Sequence, residues 1–277
     1  MNALRQNQNP LQHATESADV RNWLMSDIVD VDVHCPIHGA QIVKTFAFRR
    51  NDVKCPECDR EISFQREYDA QLQAKRQKVL DSGIGERYYG CTFNDWRAES
   101  TKQQNLLSFA KAWANNFDAG SQNIALIGST GTGKTMLVSI LGAMVINQGK
   151  SVKMLRSSEI AEQARATWHK QSKTTEADFL SGLINCDLLI IDEFGEGDIA
   201  VNAEWADQDR ARLSKIIDGR YLNGKSTIIT GNHDKAQFMT RWGARAWDRL
   251  QQNLVLVVCD WASYRAKQGV SKFVEIV

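Results

Sequence analysis

The stretch of sequence that decides the fold is a glycine-rich run made up of Gly128, Ser129, Thr130, Gly131, Thr132, Gly133, Lys134 and Thr135. It fits the phosphate-binding pattern G-x-x-x-x-G-K-[ST]. Glycine lets the backbone adopt positive φ, so that N–H groups approach an anion with no Cβ atom in the way. In this pattern Lys134 supplies positive charge for the outer phosphates, and the hydroxyl of Thr135 can bind Mg²⁺. The run therefore predicts a site for a nucleoside triphosphate with Mg²⁺.

The segments on either side of this loop fit a strand that enters it and a helix that leaves it. Residues 123–127 are a short apolar run, and residues 136–144 carry a helical apolar pattern. The phosphates would then meet the N-terminus of a helix, where free N–H groups and the helix dipole favour negative charge. The alternative is a glycine-rich turn that matches by chance, and the flanking pattern argues against it.

A second apolar strand, further along the chain, ends in two carboxylates. Residues 188–191 are Leu-Leu-Ile-Ile, and Asp192 and Glu193 follow them. In phosphate-loop enzymes the first carboxylate helps to hold Mg²⁺, and the second can act as general base toward the water that attacks the γ-phosphate. Because ligands bind at the carboxyl ends of parallel strands, both side chains should lie beside the loop. Acidic residues after a strand are common, and it is the position downstream of a phosphate loop that favours this interpretation.

A third apolar strand, residues 226–230, is followed by Asn232 and then by a group of arginines. Asn232 is our choice for a side chain that orients the attacking water or senses the γ-phosphate, and a solvated loop is the alternative. Arg245 and Arg249 share one face of a helix that should break near Gly243. A guanidinium fits the charge on a transferring phosphoryl group and can act on the nucleotide of a neighbouring copy. The spacing alone does not distinguish this role from surface salt bridging.

Paired metal-ligand candidates precede these features. Cys35 and His38 form one pair with a two-residue gap, and Cys55 and Cys58 form another. Such gaps let two tight knuckles aim four ligands at one tetrahedral Zn²⁺. A module of this size cannot fold on its apolar core alone, so the metal would supply the missing stability. His34 could replace His38, a redox dithiol is the alternative to zinc, and the mixed charges do not decide between a nucleic-acid and a protein partner.

Composition excludes several classes of protein. The chain has 277 residues and a net charge of +1 at pH 7, so any contact with nucleic acid must come from a local patch. It contains no run of about 18 apolar residues, and its first residues lack the apolar core of a signal peptide. Six cysteines in such a chain point to metal binding or buried thiols rather than disulfides. We therefore expect a cytoplasmic protein with no membrane segment.

The patterns along the chain predict four segments and an α/β fold. Alternating strands and helices from about residue 88 indicate a parallel sheet between helices. The preceding charged, glutamine-rich stretch suits a solvated helix. The predicted segments are a flexible tail over residues 1–30 with a short helix near 20–28, a zinc-ribbon-like module over 31–62, a helical linker over 63–87 and a nucleotide-binding domain over 88–277.

Taken together, these motifs resemble those of the DnaC/IstB group of AAA+ ATPases. Within that group the chain is most similar to the DnaC-type replicative helicase loaders, in a prophage-like form with an N-terminal zinc module. The resemblance covers about residues 85–270, and its most specific part is Trp-Asp-Arg-Leu followed by Asp-Trp-Ala-Ser-Tyr-Arg. The matching segments are residues 128–135, 189–195, 228–233, 247–250 and 260–265.

The resemblance implies a P-loop AAA+ ATPase domain and a role for each matching residue. ATP and Mg²⁺ would be its cofactors, beside Zn²⁺ in the N-terminal module. The implied function is a loader that binds a hexameric replicative helicase, helps to place it on single-stranded DNA and forms an ATP-dependent homo-oligomer. The alternatives are an IstB-like transposition helper and a nucleotide-gated adaptor with little turnover. The implied roles are Walker A for Lys134 and Thr135, Walker B for Asp192 and Glu193, sensor 1 for Asn232, arginine finger for Arg249 and sensor 2 for Arg265, with that of Arg245 left open.

Overall fold

The computed structural model describes residues 28–118, 120–169, 171–195 and 203–267. Most of the short helix predicted near residues 20–28, most of the predicted tail and the last ten residues of the predicted nucleotide-binding domain lie outside these ranges, and Ile28 itself is in a strand. The chain divides into two compact units, residues 1–73 and 74–277, which are treated separately below. Among the described residues no helix combines the length and apolar character needed to cross a membrane.

The first unit contains a β-hairpin. Strands β1 (Ile28–Cys35) and β2 (Gly39–Phe46) pair antiparallel, with Cys35 opposite Gly39. Gly39 has φ of +76°, a conformation that glycine adopts without strain, and so permits the tight turn between the strands. A 3₁₀ helix, Ala47–Asp52, follows the hairpin. The turn brings the side chains of His38 and Cys35 together in space, as the predicted first knuckle requires.

The next helix, α1 (Pro56–Asp81), begins earlier than the helical linker predicted over residues 63–87. Proline is favoured at the first helical position, and the acidic Glu57 and Asp59 complement the helix dipole in the first turn. Cys58 therefore lies in the first turn of a helix, so the second ligand pair is at a helix start rather than in a second β-knuckle. The division between the two units falls within α1.

The second unit is built on a five-stranded sheet in which every strand pair is parallel. Its strands are β3 (Asn123–Gly128), β4 (Val152–Arg156), β5 (Leu188–Asp192), β6 (Ser226–Gly231) and β7 (Leu254–Cys259). They lie side by side in the order β4-β5-β6-β3-β7. The helices are α2 (Thr101–Asn115), α3 (Lys134–Asn147), α4 (Ser157–Ala166), α5 (Glu176–Asn185), α6 (Ala203–Leu222), α7 (Lys235–Gln251) and α8 (Tyr264–Lys267).

Helices cover both faces of this sheet, which is why its strands are almost continuously apolar. Successive residues of a strand point to opposite faces, and β3 shows this directly. Ile124 and Leu126 pack in a core with α2 and α3, whereas Ala125 and Ile127 pack in a second core with α4 to α7. The arrangement confirms the predicted α/β class with a parallel sheet between helices.

The strand order decides which loops meet at the carboxyl edge of the sheet. Strand β6 lies between β5, which ends in Asp192, and β3, which leads into the glycine-rich loop. Residues at the end of β6 are therefore neighbours of both. The predicted break in α7 is also confirmed, because Gly243 has non-helical φ and ψ of 72° and 160°.

A buried arginine ties α6 to the amino edge of this sheet. Arg220 is 1% exposed, and its guanidinium donates hydrogen bonds to the carbonyl oxygens of Leu183 (2.7 Å) and Cys186 (2.8 Å) at the end of α5. Its Nε also donates to the hydroxyl of Thr227 in β6, at 3.0 Å. One side chain thus satisfies carbonyl groups that a helix end otherwise leaves without a partner.

We expect Arg220→Met to lower the free energy of unfolding by about 3 kcal/mol, because several buried oxygen atoms lose their donor. The matched control is Arg210→Met, which removes an exposed arginine of the same helix that pairs with Asp207. Urea unfolding of both variants measures the difference. A loss in Arg220→Met no larger than that in the control would show that these hydrogen bonds add little.

Candidate functional site

The glycine-rich loop connects β3 to α3 and curls around its own lysine. Gly128, Gly131 and Gly133 have φ of 124°, 75° and 89°, values that side chains with a Cβ rarely adopt. The Nζ atom of Lys134 donates hydrogen bonds to the carbonyl oxygens of Gly128 (2.8 Å) and Ser129 (2.7 Å). Lys134 is also the first residue of α3, so the loop and the helix N-terminus face the same space. A bound phosphate could replace these carbonyl oxygens as the partner of the buried ammonium group.

Two hydroxyl groups and a carboxylate meet beside the loop. Thr135 donates to Oδ1 of Asp192 at 3.2 Å, and Thr230 donates to the same oxygen. Asp192 is buried, 5% exposed. A hydroxyl and a carboxylate at the end of a phosphate loop fit Mg²⁺ that bridges to phosphate oxygens. Thr135 and Asp192 are therefore the residues that would hold Mg²⁺.

Thr230 is a site residue that the sequence analysis missed. It lies near the carboxyl end of β6, its hydroxyl bonds Asp192, and it also accepts a hydrogen bond from the N–H of Glu193 at 3.1 Å. The signal in the sequence was a threonine at the end of an apolar strand, but its significance depends on the position of β6 between β5 and β3, which only the structure shows. Asn232, which the sequence favoured, follows β6 and is partly buried, and its sensor role remains a prediction.

Glu193 has an unusual backbone and a close basic neighbour. Its φ is +51°, uncommon for a residue with a side chain and typical of functional sites. The hydroxyl of Ser157 donates to its carbonyl oxygen at 3.1 Å. Its carboxylate lies 3.1 Å from Nε of Arg156, which ends β4 beside Asp192 in the sheet register. Arg156 was not singled out from the sequence because this pairing depends on the strand order.

A cavity of about 360 Å³ opens beside the loop, within the size range of small-molecule sites. Tyr88 and Trp96 line it from the segment before α2, and Tyr264 and Arg265 line it from α8. Arg265, the predicted sensor 2 residue, thus shares a cavity with Lys134 of the predicted Walker A motif. The structure brings together the loop, Thr135, Asp192 and Arg265, with Glu193 following Asp192 directly.

The arginines of α7 have partners on α6. Arg245 Nε lies 2.7 Å from Asp218 Oδ2, an ion pair that matches the surface salt bridge left open by the sequence. Arg249 lies over the ring of Tyr221, with its guanidinium carbon 4.7 Å from the ring centre, and its Nε is 3.9 Å from Asp218 Oδ1. In the described part of the chain, neither arginine lines the cavity beside the loop.

The four predicted zinc ligands of the first unit converge on one point. The Nδ1 atom of His38 lies 3.7, 3.6 and 3.4 Å from the sulfur atoms of Cys35, Cys55 and Cys58, and the sulfurs of Cys35 and Cys58 are 3.6 Å apart. All four ligand atoms lie within 4.8 Å of one another. Tetrahedral zinc with bonds of about 2.3 Å needs sulfur atoms about 3.8 Å apart. The geometry therefore fits Zn²⁺.

The electrostatics of this cluster also fit a cation. Backbone N–H groups of His38 and Ile37 donate to the sulfur of Cys35 and lower the pKa of that thiol to about 6. The hydrogen bond to Cys35 and burial raise the pKa of the Cys58 thiol to about 12, because both favour its protonated form. A divalent cation would let all three thiols ionise. The Nε2 atom of His38 lies 3.3 Å from a carboxylate oxygen of Glu61, a contact that orients metal-binding imidazoles.

Comparison with known proteins identifies the family of the chain. The family described as IstB-like ATP binding protein matches residues 92–271, which contain the loop, both carboxylates and most of the residues that line the cavity. The chain belongs to this family. Its P-loop AAA+ domain is therefore an ATP-binding domain of the IstB-like type, and the resemblance drawn from the sequence is confirmed.

Curated relatives of this IstB-like protein include replicative helicase loaders. The replicative helicase loader DnaC of Buchnera aphidicola subsp. Baizongia pistaciae is 30% identical over 201 residues, 72% of this chain and 79% of the relative. DnaC of Escherichia coli K12 is 30% identical over 195 residues, 70% and 77% of the two chains. The crystal structure of a DnaC helicase loader matches with a TM-score of 0.54 at 23% identity, over 63% of this chain and 99% of that one. At this identity the structural match supports the fold alone.

We expect the purified chain to hold about one Zn²⁺ per molecule and Cys58→Ser to lose most of it, because the remaining three ligands leave the tetrahedral site open. The matched control is Cys91→Ser, which removes a lone cysteine of the second unit. Metal content by mass spectrometry measures both.

Chelation should unfold the part of the first unit that holds the ligands and leave nucleotide binding by the second unit intact. Circular dichroism and a nucleotide titration, each with and without chelator, separate the two. Full zinc occupancy in Cys58→Ser would contradict the assignment of the ligands.

Proposed function

We propose that this chain is an ATP-dependent loader that binds a hexameric replicative helicase and helps to place it on single-stranded DNA. The observation that carries the proposal is the similarity to DnaC over more than three quarters of the relatives' length. The assembled loop, Thr135 and Asp192 in the same region support ATP as the ligand that drives the cycle.

The proposed chemistry is ATP hydrolysis at the edge of the sheet. The loop and Lys134 bind the phosphates, and Thr135 with Asp192 holds Mg²⁺, which neutralises charge on the phosphates. Glu193 accepts a proton from the attacking water once its carboxylate is released from Arg156. Arg265 faces the same cavity and stabilises the charge of the γ-phosphate. The rest of the cavity offers aromatic side chains for the adenosine.

We place Arg249 in a second copy's active site, in a homo-oligomer that forms with ATP. In its own chain this arginine packs on Tyr221 and is only partly exposed, so its orientation is set before assembly. A preset guanidinium loses less conformational entropy when it meets the γ-phosphate of a neighbour. Arg245 lies closer to Asp218 than Arg249 does, and in this scheme Arg245 and Asp218 form a surface ion pair.

A tryptophan of the second unit supports contact with single-stranded DNA. The side chain of Trp168 is 55% exposed, its indole N–H donates to Glu176 at 2.7 Å, and the guanidinium carbon of Arg212 lies 5.3 Å from the ring centre. His169 and Lys173 are exposed nearby in the chain. A fixed, exposed aromatic ring is what unpaired bases stack on, and the positive charge of Lys173 favours the phosphates beside them.

The first unit supports a protein partner. Ile42 and Phe48 are 71% and 78% exposed, and the rings of Phe46 and Phe48 stack with centres 5.7 Å apart. Exposed apolar side chains in a cluster are typical of protein interfaces. We therefore assign the helicase contact to the zinc module and the DNA contact to the ATPase domain.

With ATP present, we expect the tagged chain to retain the host's replicative helicase, and Lys134→Ala to lose it, because assembly needs the nucleotide. Phe48→Ala should weaken helicase retention about 10-fold while leaving DNA binding unchanged. Trp168→Ala should weaken binding to single-stranded DNA and leave helicase retention unchanged, since it removes only the stacking surface. Affinity capture and single-stranded DNA binding measure the two contacts, so each variant is the other's control.

An absent helicase complex, with ATP binding intact, would overturn the loader proposal. Tight binding to duplex DNA and ATP-dependent filaments on it would favour the IstB-like transposition helper instead. Helicase retention without measurable ATP turnover would favour the nucleotide-gated adaptor.

Mixing two inactive variants tests the shared active site. We expect Arg249→Ala and Glu193→Gln each to lower ATP turnover at least ~10-fold, because each removes one side of the same catalytic centre. An equal mixture should recover about a quarter of normal turnover. In random assembly about one site in four combines the intact Glu193 of an Arg249→Ala copy with the intact Arg249 of a Glu193→Gln neighbour. Steady-state turnover measures the recovery.

The matched control mixes Glu193→Gln with Lys134→Ala. Both changes damage the site that one chain contributes, so neither copy can complete the other and the mixture should stay inactive. Equal turnover in the two mixtures would contradict the assignment of Arg249 as an arginine finger.

A further inference from the structure

The outer side of the phosphate loop is held by groups from two distant parts of the second unit. Three consecutive carbonyl oxygens of the loop each accept a hydrogen bond from outside it. The donors are the backbone N–H of Tyr264 to Gly131 (2.8 Å), the indole N–H of Trp261 to Thr132 (3.0 Å) and the indole N–H of Trp96 to Gly133 (3.1 Å). We call Trp96, Trp261 and Tyr264 the carbonyl clamp.

The clamp fixes the direction of the N–H groups on the other side of the loop. A trans peptide is planar, so its C=O and the next residue's N–H point in opposite directions. Outward carbonyl groups at residues 131–133 therefore turn the N–H groups of Thr132, Gly133 and Lys134 inward, toward the space where phosphate binds. The clamp holds the loop in a form that receives an anion.

The glycines of the loop also leave room for the carbonyl clamp and for the segment that carries it. A Cβ atom on Gly131 would lie 1.9 Å from Oγ of Ser263, and one on Gly133 would lie 2.9 Å from Nε1 of Trp96. Gly131 occupies a position that the general loop pattern leaves free. Two features require glycine at this position in this chain, its φ of 75° and the close approach of the segment that carries Ser263 and Tyr264.

The two halves of the loop are held differently. Gly128 and Ser129 have carbonyl oxygens bonded by Lys134, which must release them to reach a phosphate. Residues 131–133 are held by groups that have no role with the phosphates and need not move. The first half is thus rearranged by the ligand, and the second half is formed before the ligand arrives.

Contacts between the two segments that carry the carbonyl clamp hold it in place. The rings of Trp96 and Trp261 meet edge to face, with centres 6.3 Å apart and planes at 86°. Two further polar contacts join the same segments, one between Lys102 and Asp260 (2.7 Å) and one between Gln103 and the hydroxyl of Tyr264 (2.8 Å). Arg265, which follows Tyr264, is therefore tied to the loop that it faces.

We propose that Trp96 and Trp261 are positioning residues of the nucleotide site: their indole N–H groups hold the phosphate loop open to the anion. The proposal rests on the proposed function only in taking ATP as the ligand, and it does not depend on the helicase. Because the clamp acts on loop N–H groups that bind ground state and transition state alike, it affects KM rather than kcat.

The test is Trp261→Phe and Trp96→Phe in the full chain with zinc and Mg²⁺, titrated with ATP by calorimetry. Phenylalanine keeps a ring and removes the donor. We expect the Kd for ATP to rise about 10-fold in Trp261→Phe, because the carbonyl of Thr132 loses its bond to the indole and the loop is freed. The rise should be smaller in Trp96→Phe, because the carbonyl of Gly133 keeps its bond to the N–H of Leu137 at 3.0 Å. The matched control is Trp113→Phe, which removes a similar indole bond to the carbonyl of Gln122 (2.9 Å) away from the loop.

Trp261→Phe is the cleaner variant, because in the described structure Trp96 lines the cavity and Trp261 does not. Steady-state turnover should show a raised KM and a kcat within about two-fold of wild type. A Kd for Trp261→Phe equal to that of Trp113→Phe overturns the proposal, as does a lowered kcat with unchanged KM. Loss of the helicase complex with normal ATP binding would instead count against the loader and leave the clamp standing.

A second pair of variants guards against a tryptophan variant that does not fold. Gly131→Ala should weaken ATP binding at least ~10-fold, because the new methyl group strains the loop and displaces Ser263. Adding Ser263→Gly removes the atoms it would strike and should restore part of the affinity. No recovery in the double variant would show that contact with this segment does not govern the loop, and would overturn the proposal.

Discussion

The nucleotide site depends on the direction of the backbone N–H groups of the glycine-rich loop, at one edge of a parallel sheet. Such groups bind phosphate well only when their peptide planes are fixed in advance, since freezing a mobile loop during binding consumes much of the gain. Here the planes are fixed by glycines with positive φ, by the start of α3 and by the indole groups that bond the loop from outside.

The strand order adds a second constraint. Because β6 lies between the strand that feeds the loop and the strand that carries Asp192, its end becomes the link between them. Thr230 occupies that link with a hydroxyl that joins Asp192 to the backbone of Glu193. The carboxylate of Asp192 and the backbone of Glu193 are therefore both hydrogen-bonded to the strand that precedes Asn232. The ion pair between Glu193 and Arg156 adds β4 to the same network.

The sequence predicted what depends on local pattern. The glycine-rich loop, the apolar strands that end in Asp192 and Asn232 and the two ligand pairs are short motifs whose residue types follow from their chemistry. The contributions of Thr230, Arg156 and the two tryptophans could not be predicted, because each depends on which strands lie side by side or on contacts between distant segments. The start of α1 was predicted too late in the chain. The zinc-ligand pattern of Cys55 and Cys58 took precedence over Pro56, which lies between them and begins the helix.

The span between Trp96 and Tyr264 sets a lower limit on any autonomous fragment of the second unit. A shortened chain that kept every strand but began after Trp96 would lose Val79, Ile84 and Trp96 from one of its cores. Such a chain, like one that stopped at the end of β7, would also lose part of the outer support of its loop. Its glycine turn would then lack donors that hold its outer carbonyl oxygens. An ATPase domain excised on the bounds of its strands and helices alone would thus bind nucleotide poorly.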